Sequence, residues 1–515
     1  MNSQNSIIYD QSIKTRFLAT LFANIGGMGL SFLAGIIIAR GLGPAGYGNF
    51  NFLLGSFASI ILLLDMGTAS AFYTFLSQRK RGKRFYLYYF LWIGIEFLVA
   101  FLLISFILPD SWKDRIWLGQ KREMIVLAFL ASFMMAKVWQ TATQVGESIR
   151  ATVIVQLHNI ILAGLHLCIV LAMASAHRLT ITNLFLLIIF EYPLFAIILA
   201  ARLRHNLIES EEETHLSNVI NEFKAYCAPL ALYTIVGFAY SFADTWLLQR
   251  FGGAVQQGFY SISLKFTTIC LIATTSMLNI FWKEIAEASE RHDQERLYQL
   301  YKSTSRALCF VSALGACFLI PFSKEIIYLL LGPRYEASWP CLAIMFLYPI
   351  HQSLGQINAS YFYATAQTKL YSNLSIIMMM TTIPITYFIL ASPSATVPGL
   401  GLGSVGLALK VVVLQIIWVN IFSYFISKLS RWRFDFLYQF ATTIPLLLVS
   451  FTVKQFLIYS SHLLNISLHP LPLILCSLPL YILVTALIIY LFLGLSGMGK
   501  DMISSFISLL KVEYH

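Results

Sequence analysis

Residues Ala39–Phe50 read ARGLGPAGYGNF, and residues Gln249–Tyr260 read QRFGGAVQQGFY. Four positions coincide at one spacing: Arg40 with Arg250, Gly43 with Gly253, Gly48 with Gly258 and Phe50 with Tyr260. Each pair is 210 residues apart (250 − 40, 253 − 43, 258 − 48, 260 − 50). Both stretches begin where a long apolar run ends. A fixed offset at equivalent helix ends marks an internal repeat. Six apolar runs precede the second copy, so the halves share one orientation. That implies two lobes related by a pseudo-twofold along the membrane normal, with a cavity between them.

The runs on either side of these stretches fix the solvent. Of 515 residues, 58% are apolar and only 11% are charged, against roughly 25% charged in a soluble chain. Such sparse charge cannot cover a water-facing surface, so most of the chain faces lipid. The runs are continuously apolar rather than alternating, which excludes a transmembrane barrel. In hydrocarbon a helix satisfies its own backbone. The sequence therefore predicts an all-α polytopic membrane protein of about fourteen transmembrane helices, each of roughly 20 apolar residues. The expected spans are 17–39, 48–76, 85–108, 124–147, 151–174, 183–203, 228–249, 259–282, 304–331, 340–366, 373–391, 404–427, 439–459 and 471–494. Residues 1–203 form the expected N-terminal lobe and 228–427 the C-terminal lobe. Residues 204–227, with Glu209, Glu211, Glu212 and Glu213, read as a cytoplasmic linker. Residues 428–515 add two helices and a tail. Pro321 and the Lys324–Glu325 pair interrupt the ninth span, and Ala286–Lys302 reads as a charged surface helix.

Lys and Arg number 35 against 24 Asp and Glu. They cluster in short loops, at Arg79–Arg84, Lys283–Arg306 and Lys428–Arg433, while the loops near 392–403 and 460–470 hold none. The positive-inside rule explains this better than nucleic-acid binding and places both termini in the cytoplasm. No signal-peptide core is seen near the N-terminus. The seven cysteines lie scattered without metal-ligand spacing and read as small buried hydrophobes.

ARGLGPAGYGNF, followed by LLLDMGTASA (Leu62–Ala71), resembles the polysaccharide-transporter family, which includes flippases of the Wzx type for O-antigen and exopolysaccharide repeat units. Three further stretches are similar: FADTWLLQRFGGAVQQGFYS (Phe242–Ser261), LLLGPRYEAS (Leu329–Ser338) and PGLGLGSVGLAL (Pro398–Leu409). The wider superfamily also holds multidrug-and-toxin extruders and the peptidoglycan lipid flippase. The resemblance implies an inner-membrane, alternating-access transporter. Its cargo would be an undecaprenyl-diphosphate-linked oligosaccharide, carried from the cytoplasmic to the outer leaflet on a proton or sodium gradient, with no cofactor. It also implies polysaccharide polymerase and chain-length proteins as partners. Gly399–Gly406 lacks the Lys-Ser/Thr ending of a phosphate loop and reads as a tight turn.

Charge inside a membrane helix costs about 2.5–3.5 kcal/mol on insertion scales, so such residues face a cavity or a partner. Lys137, Lys265 and Lys410 are candidates to meet the diphosphate, with Arg40 and Arg250 at lobe ends. Asp244, Asp65, Glu191, Glu96, His158 and His166 are candidates for ion coupling. The two histidines are eight residues apart, about 80° around a helix, and so share a face. Each of these residues also has a plainer reading, as an internal polar tie or a lysine snorkelling to the interface. No Ser/His/Asp or paired-carboxylate arrangement supports an enzyme such as a polymerase or ligase. A cation-coupled drug extruder should favour a more acidic set than these lysines and acids.

Overall fold

The computed structural model describes residues 13–204, 215–271, 281, 284–464 and 469–491. Among them there are helices and no strands, as the apolar runs predict. Among the described residues, eleven helices are long and apolar enough to cross a membrane. Two of these, of 43 and 55 residues, far exceed the roughly 20 residues of one crossing. The glutamates at 209 and 211–213 lie outside the described residues.

The first helices are α1 (Ile13–Asp65), α2 (Thr68–Gln78), α3 (Lys83–Leu102), α4 (Asp110–Ile116) and α5 (Arg122–Phe133). There follow α6 (Gln140–Ser148), α7 (Thr152–Ser175), α8 (Ile181–Leu203), α9 (Leu216–Cys227) and α10 (Ala231–Cys270). A loop is expected over 40–47, but the structure has only one non-helical residue there. Gly43 (φ 68°, ψ 173°) breaks α1, and Gly253 (φ 75°, ψ 178°) breaks α10 in the same way. Only glycine takes such a φ without steric cost, so one residue redirects the chain and no loop is needed. The repeat read from sequence is thus a repeat of backbone geometry.

Contacts divide the chain into two compact units, 1–258 with 379–401, and 259–378 with 402–515. The dividing point differs from a boundary in the linker. In the first unit the second half of α1 runs antiparallel to the first half of α10, which draws the start of the second copy into this unit. A Cβ on Gly48 would lie 1.7 Å from the carbonyl oxygen of Ala254, and one on Gly258 would lie 2.1 Å from that of Pro44. Residues 44 and 254 are themselves 210 apart, so the two copies meet through equivalent positions. Further along, Gly55 faces Thr245, and the Ser59 and Ser241 hydroxyls are 2.9 Å apart. Small residues let these backbones approach closely, which is how helices gain packing in lipid.

In the second unit the span expected at 304–331 begins earlier. Helix Gln294–Leu319 absorbs the end of the charged segment read as a separate surface helix, with Asp293 capping it through the Arg296 N–H. It kinks through Ile320–Phe322 into Ser323–Leu331. Pro321 removes a backbone donor and leaves carbonyls exposed at the kink. The two C-terminal helices, Leu437–Leu463 and Pro470–Leu491, satisfy carbonyls around it. Ser450 donates to the Phe318 carbonyl (3.2 Å), Tyr481 to that of Leu314 (3.1 Å) and Lys454 to that of Pro321 (2.6 Å). Lys454 also pairs with Glu325 at 2.6 Å.

Candidate functional site

Lys137 lies where α5 passes into α6 through a π-helical segment, Met134–Trp139. One extra residue per turn shifts the helical faces, and such bulges concentrate at functional sites. Lys137 is 3% exposed. Its ammonium is 2.5 Å from Asp65 Oδ1 and 2.9 Å from Glu96 Oε2. A buried ammonium without partners would be untenable, and two carboxylates hold this one.

Each carboxylate arrives for a local reason. Asp65 ends α1, where the chain turns at Met66–Gly67. Its Oδ2 accepts from the Gly67 N–H, and its Oδ1 from the Ala69 N–H and the Thr68 hydroxyl, at 3.1–3.2 Å. Asp65 therefore caps α2 and grips Lys137 at once. Glu96 projects from the middle of α3 and is 5% exposed. The cluster joins α1, α3 and the α5–α6 helix, residues 31 and 41 positions apart in sequence (96 − 65, 137 − 96). It combines three residues that the sequence assigns to two separate roles. With all three ionised its charge is one lysine against two carboxylates, a net −1.

Other predicted residues fall elsewhere. Glu191, on α8 beside Pro193, receives His166 Nδ1 of α7 at 2.7 Å, and its second oxygen is buried without a hydrogen-bond partner among the described residues. His158 is buried and turns Nδ1 to its own helix, 2.7 Å from the Ile154 carbonyl. The two histidines thus bond to different groups. Asp244, on α10, accepts from the buried Thr386 hydroxyl at 2.8 Å. Arg40 and Arg250 are exposed, Lys265 is half-buried, and Lys410 is buried in the second unit.

Sequence reasoning overlooks Thr386 and Asn49. Asn49 Oδ1 accepts from Gln249 (2.9 Å) and Gln120 (3.1 Å), tying α10 and the end of the α4–α5 loop to α1. The available signal was an amide directly after Gly48, where the two copies meet.

No protein-family model and no curated protein matches the sequence. Solved structures do match. The lipid II flippase MurJ in an inward closed conformation aligns with a TM-score of 0.67 at 12% identity, over 92% of this chain and 100% of that one. A multidrug-resistance MATE transporter in an outward-facing conformation gives 0.56 at 14% identity, over 82% and 97%. A MOP-superfamily transporter from Pyrococcus furiosus gives 0.55 at 15% identity, over 82% and 98%. The chain is therefore a multi-pass membrane protein with the fold shared by these flippase and transporter structures.

Proposed function

We propose that this protein is a flippase that carries an undecaprenyl-diphosphate-linked oligosaccharide, of the O-antigen or exopolysaccharide repeat-unit class, across the bacterial inner membrane. Transport runs from the cytoplasmic to the outer leaflet by ion-coupled alternating access, with both termini in the cytoplasm. The observation that carries the reading is the buried Lys137–Asp65–Glu96 cluster. Its net negative charge is met by one proton or one sodium ion on the carboxylates. Adding that cation weakens the carboxylates' hold on Lys137 and frees the ammonium for a diphosphate, and losing it draws Lys137 back. Likeness to a lipid II flippase over nearly the whole chain supports a lipid-linked cargo.

The test is flipping in proteoliposomes loaded with undecaprenyl-diphosphate-linked oligosaccharide, with exposed glycan read by membrane-impermeant periodate. Gradient-dependent exposure that is lost in Lys137→Ala and in Asp244→Ala supports a coupled flippase. No exposure with several glycans, together with gradient-driven efflux of small organic cations, would overturn it in favour of an extruder.

A further inference from the structure

Within the first unit, α3, the α5–α6 helix and α8 enclose a cleft of about 410 Å³. That size lies in the range of about 300–1,000 Å³ usual for small-ligand sites. Its walls are almost wholly apolar, from Phe90, Val138, Ala142 and Ile197, whereas Arg81 and Lys83 line one end. Phe90 and Ile197 are 51% and 67% exposed, so the rim is continuous with the lipid-facing surface.

Arg81 has an unusual setting for a cation in a short polar loop. It is only 5% exposed, although its neighbours Lys80, Lys83 and Arg84 are all exposed. Its guanidinium lies 4.7 Å from the Phe85 ring centroid and 5.4 Å from that of Phe75, with one nitrogen 2.9 Å from Glu222 Oε2. Its Nε is buried and has no hydrogen-bond partner among the described residues. A donor left in this state at the end of an apolar cleft fits a ligand with an anionic oxygen and a hydrocarbon tail. Basic pockets between membrane helices bind anionic lipid head groups by this chemistry.

We infer that this cleft is a binding site for an anionic phospholipid of the surrounding bilayer, its phosphate at Arg81 and Lys83 and an acyl chain along the apolar walls. The three helices it touches carry Glu96, Lys137 and Glu191. A lipid seated there braces α3 and the α5–α6 helix, two of the three helices that build the ion cluster, and its headgroup charge sets how firmly it does so.

Native mass spectrometry of the purified full chain, with phosphatidylglycerol or phosphatidylcholine added at equal concentration, tests the site. Phosphatidylglycerol is expected to be retained over phosphatidylcholine. Arg81→Gln lowers that retention about fivefold, the factor for about 1 kcal/mol per interfacial cation. Ala142→Trp fills the cleft, leaves both cations in place and abolishes the preference. Glu222→Gln removes the competing carboxylate and raises retention, whereas a purely structural role for Arg81 requires it to fall or stay level. Equal retention of both lipids, or a preference that survives Ala142→Trp, overturns the proposal. So does displacement of phosphatidylglycerol by undecaprenyl phosphate in the wild type, which would make the cleft a substrate portal.

Discussion

Two lysines inside the membrane domain show opposite designs. Lys454, in the second unit, has side-chain exposure of 16% and pairs with one carboxylate, Glu325, and with the Pro321 carbonyl. Its charge is balanced, and its position at a proline kink gives it a clear structural task. Lys137, in the first unit, is 3% exposed and faces two carboxylates, one of which also caps a helix. A balanced pair ties two helices and asks for nothing else. On the proposed function, an unbalanced and more deeply buried lysine cluster keeps a place for one further cation. Burial of charge is common to both lysines; the charge count is what differs.

The largest effect is expected at Lys137. Lys137→Ala strands the buried Glu96 and the partly exposed Asp65 and costs about 3–5 kcal/mol, the usual penalty for breaking a buried pair. A thermal shift in detergent should show this loss, and flipping should vanish. Adding Glu96→Gln to Lys137→Met should restore most of the stability but none of the transport. Lys454→Ala should be milder, about 1–3 kcal/mol, for the loss of hydrogen bonds to a carboxylate and a carbonyl. Folded Lys454→Ala protein should flip at the wild-type rate; if it does not, the contrast between the two lysines collapses.

Glu96→Gln sharpens the contrast from the other side. It leaves Lys137 balanced by Asp65 alone, so stability should change by less than about 1 kcal/mol. Flipping should lose its dependence on the ion gradient, as read by collapsing the gradient during the periodate assay. Asp244→Asn should perturb stability least, because an amide oxygen still accepts from Thr386. Any fall in gradient-dependent flipping in that variant assigns Asp244 a coupling role separate from the Lys137 cluster.

Some of this was legible in the chain. Gly43 and Gly253 announced a shared backbone break, because only glycine adopts their φ at no cost. Gly48 and Gly258 were part of the same pattern, and both sit where a Cβ would strike a carbonyl. Pro321 marked a kink. The width of the first break is not legible: the sequence predicts a loop over 40–47, yet a single glycine redirects the chain. The charged stretch 286–302 likewise read as a surface helix, although its last part opens a long spanning one. The sequence offers Lys137, Asp65 and Glu96 as candidates but does not show that they meet. Helices that are apolar all round carry no periodic signal of which face turns inward.

The sequence by itself determined the solvent, the helical class and the internal repeat. These follow from composition and from backbone limits on glycine and proline, which act within a few residues. The tertiary structure alone decided that Lys137 meets Asp65 and Glu96, that His166 meets Glu191, and that Asp244 meets Thr386. Those partnerships join residues 25 to 142 positions apart. They depend on which helices lie side by side and on how each is rotated, with a π-helical segment placing Lys137 and a capped break placing Asp65. No local rule encodes that rotation, because in lipid it is set by packing between neighbours rather than by an apolar stripe.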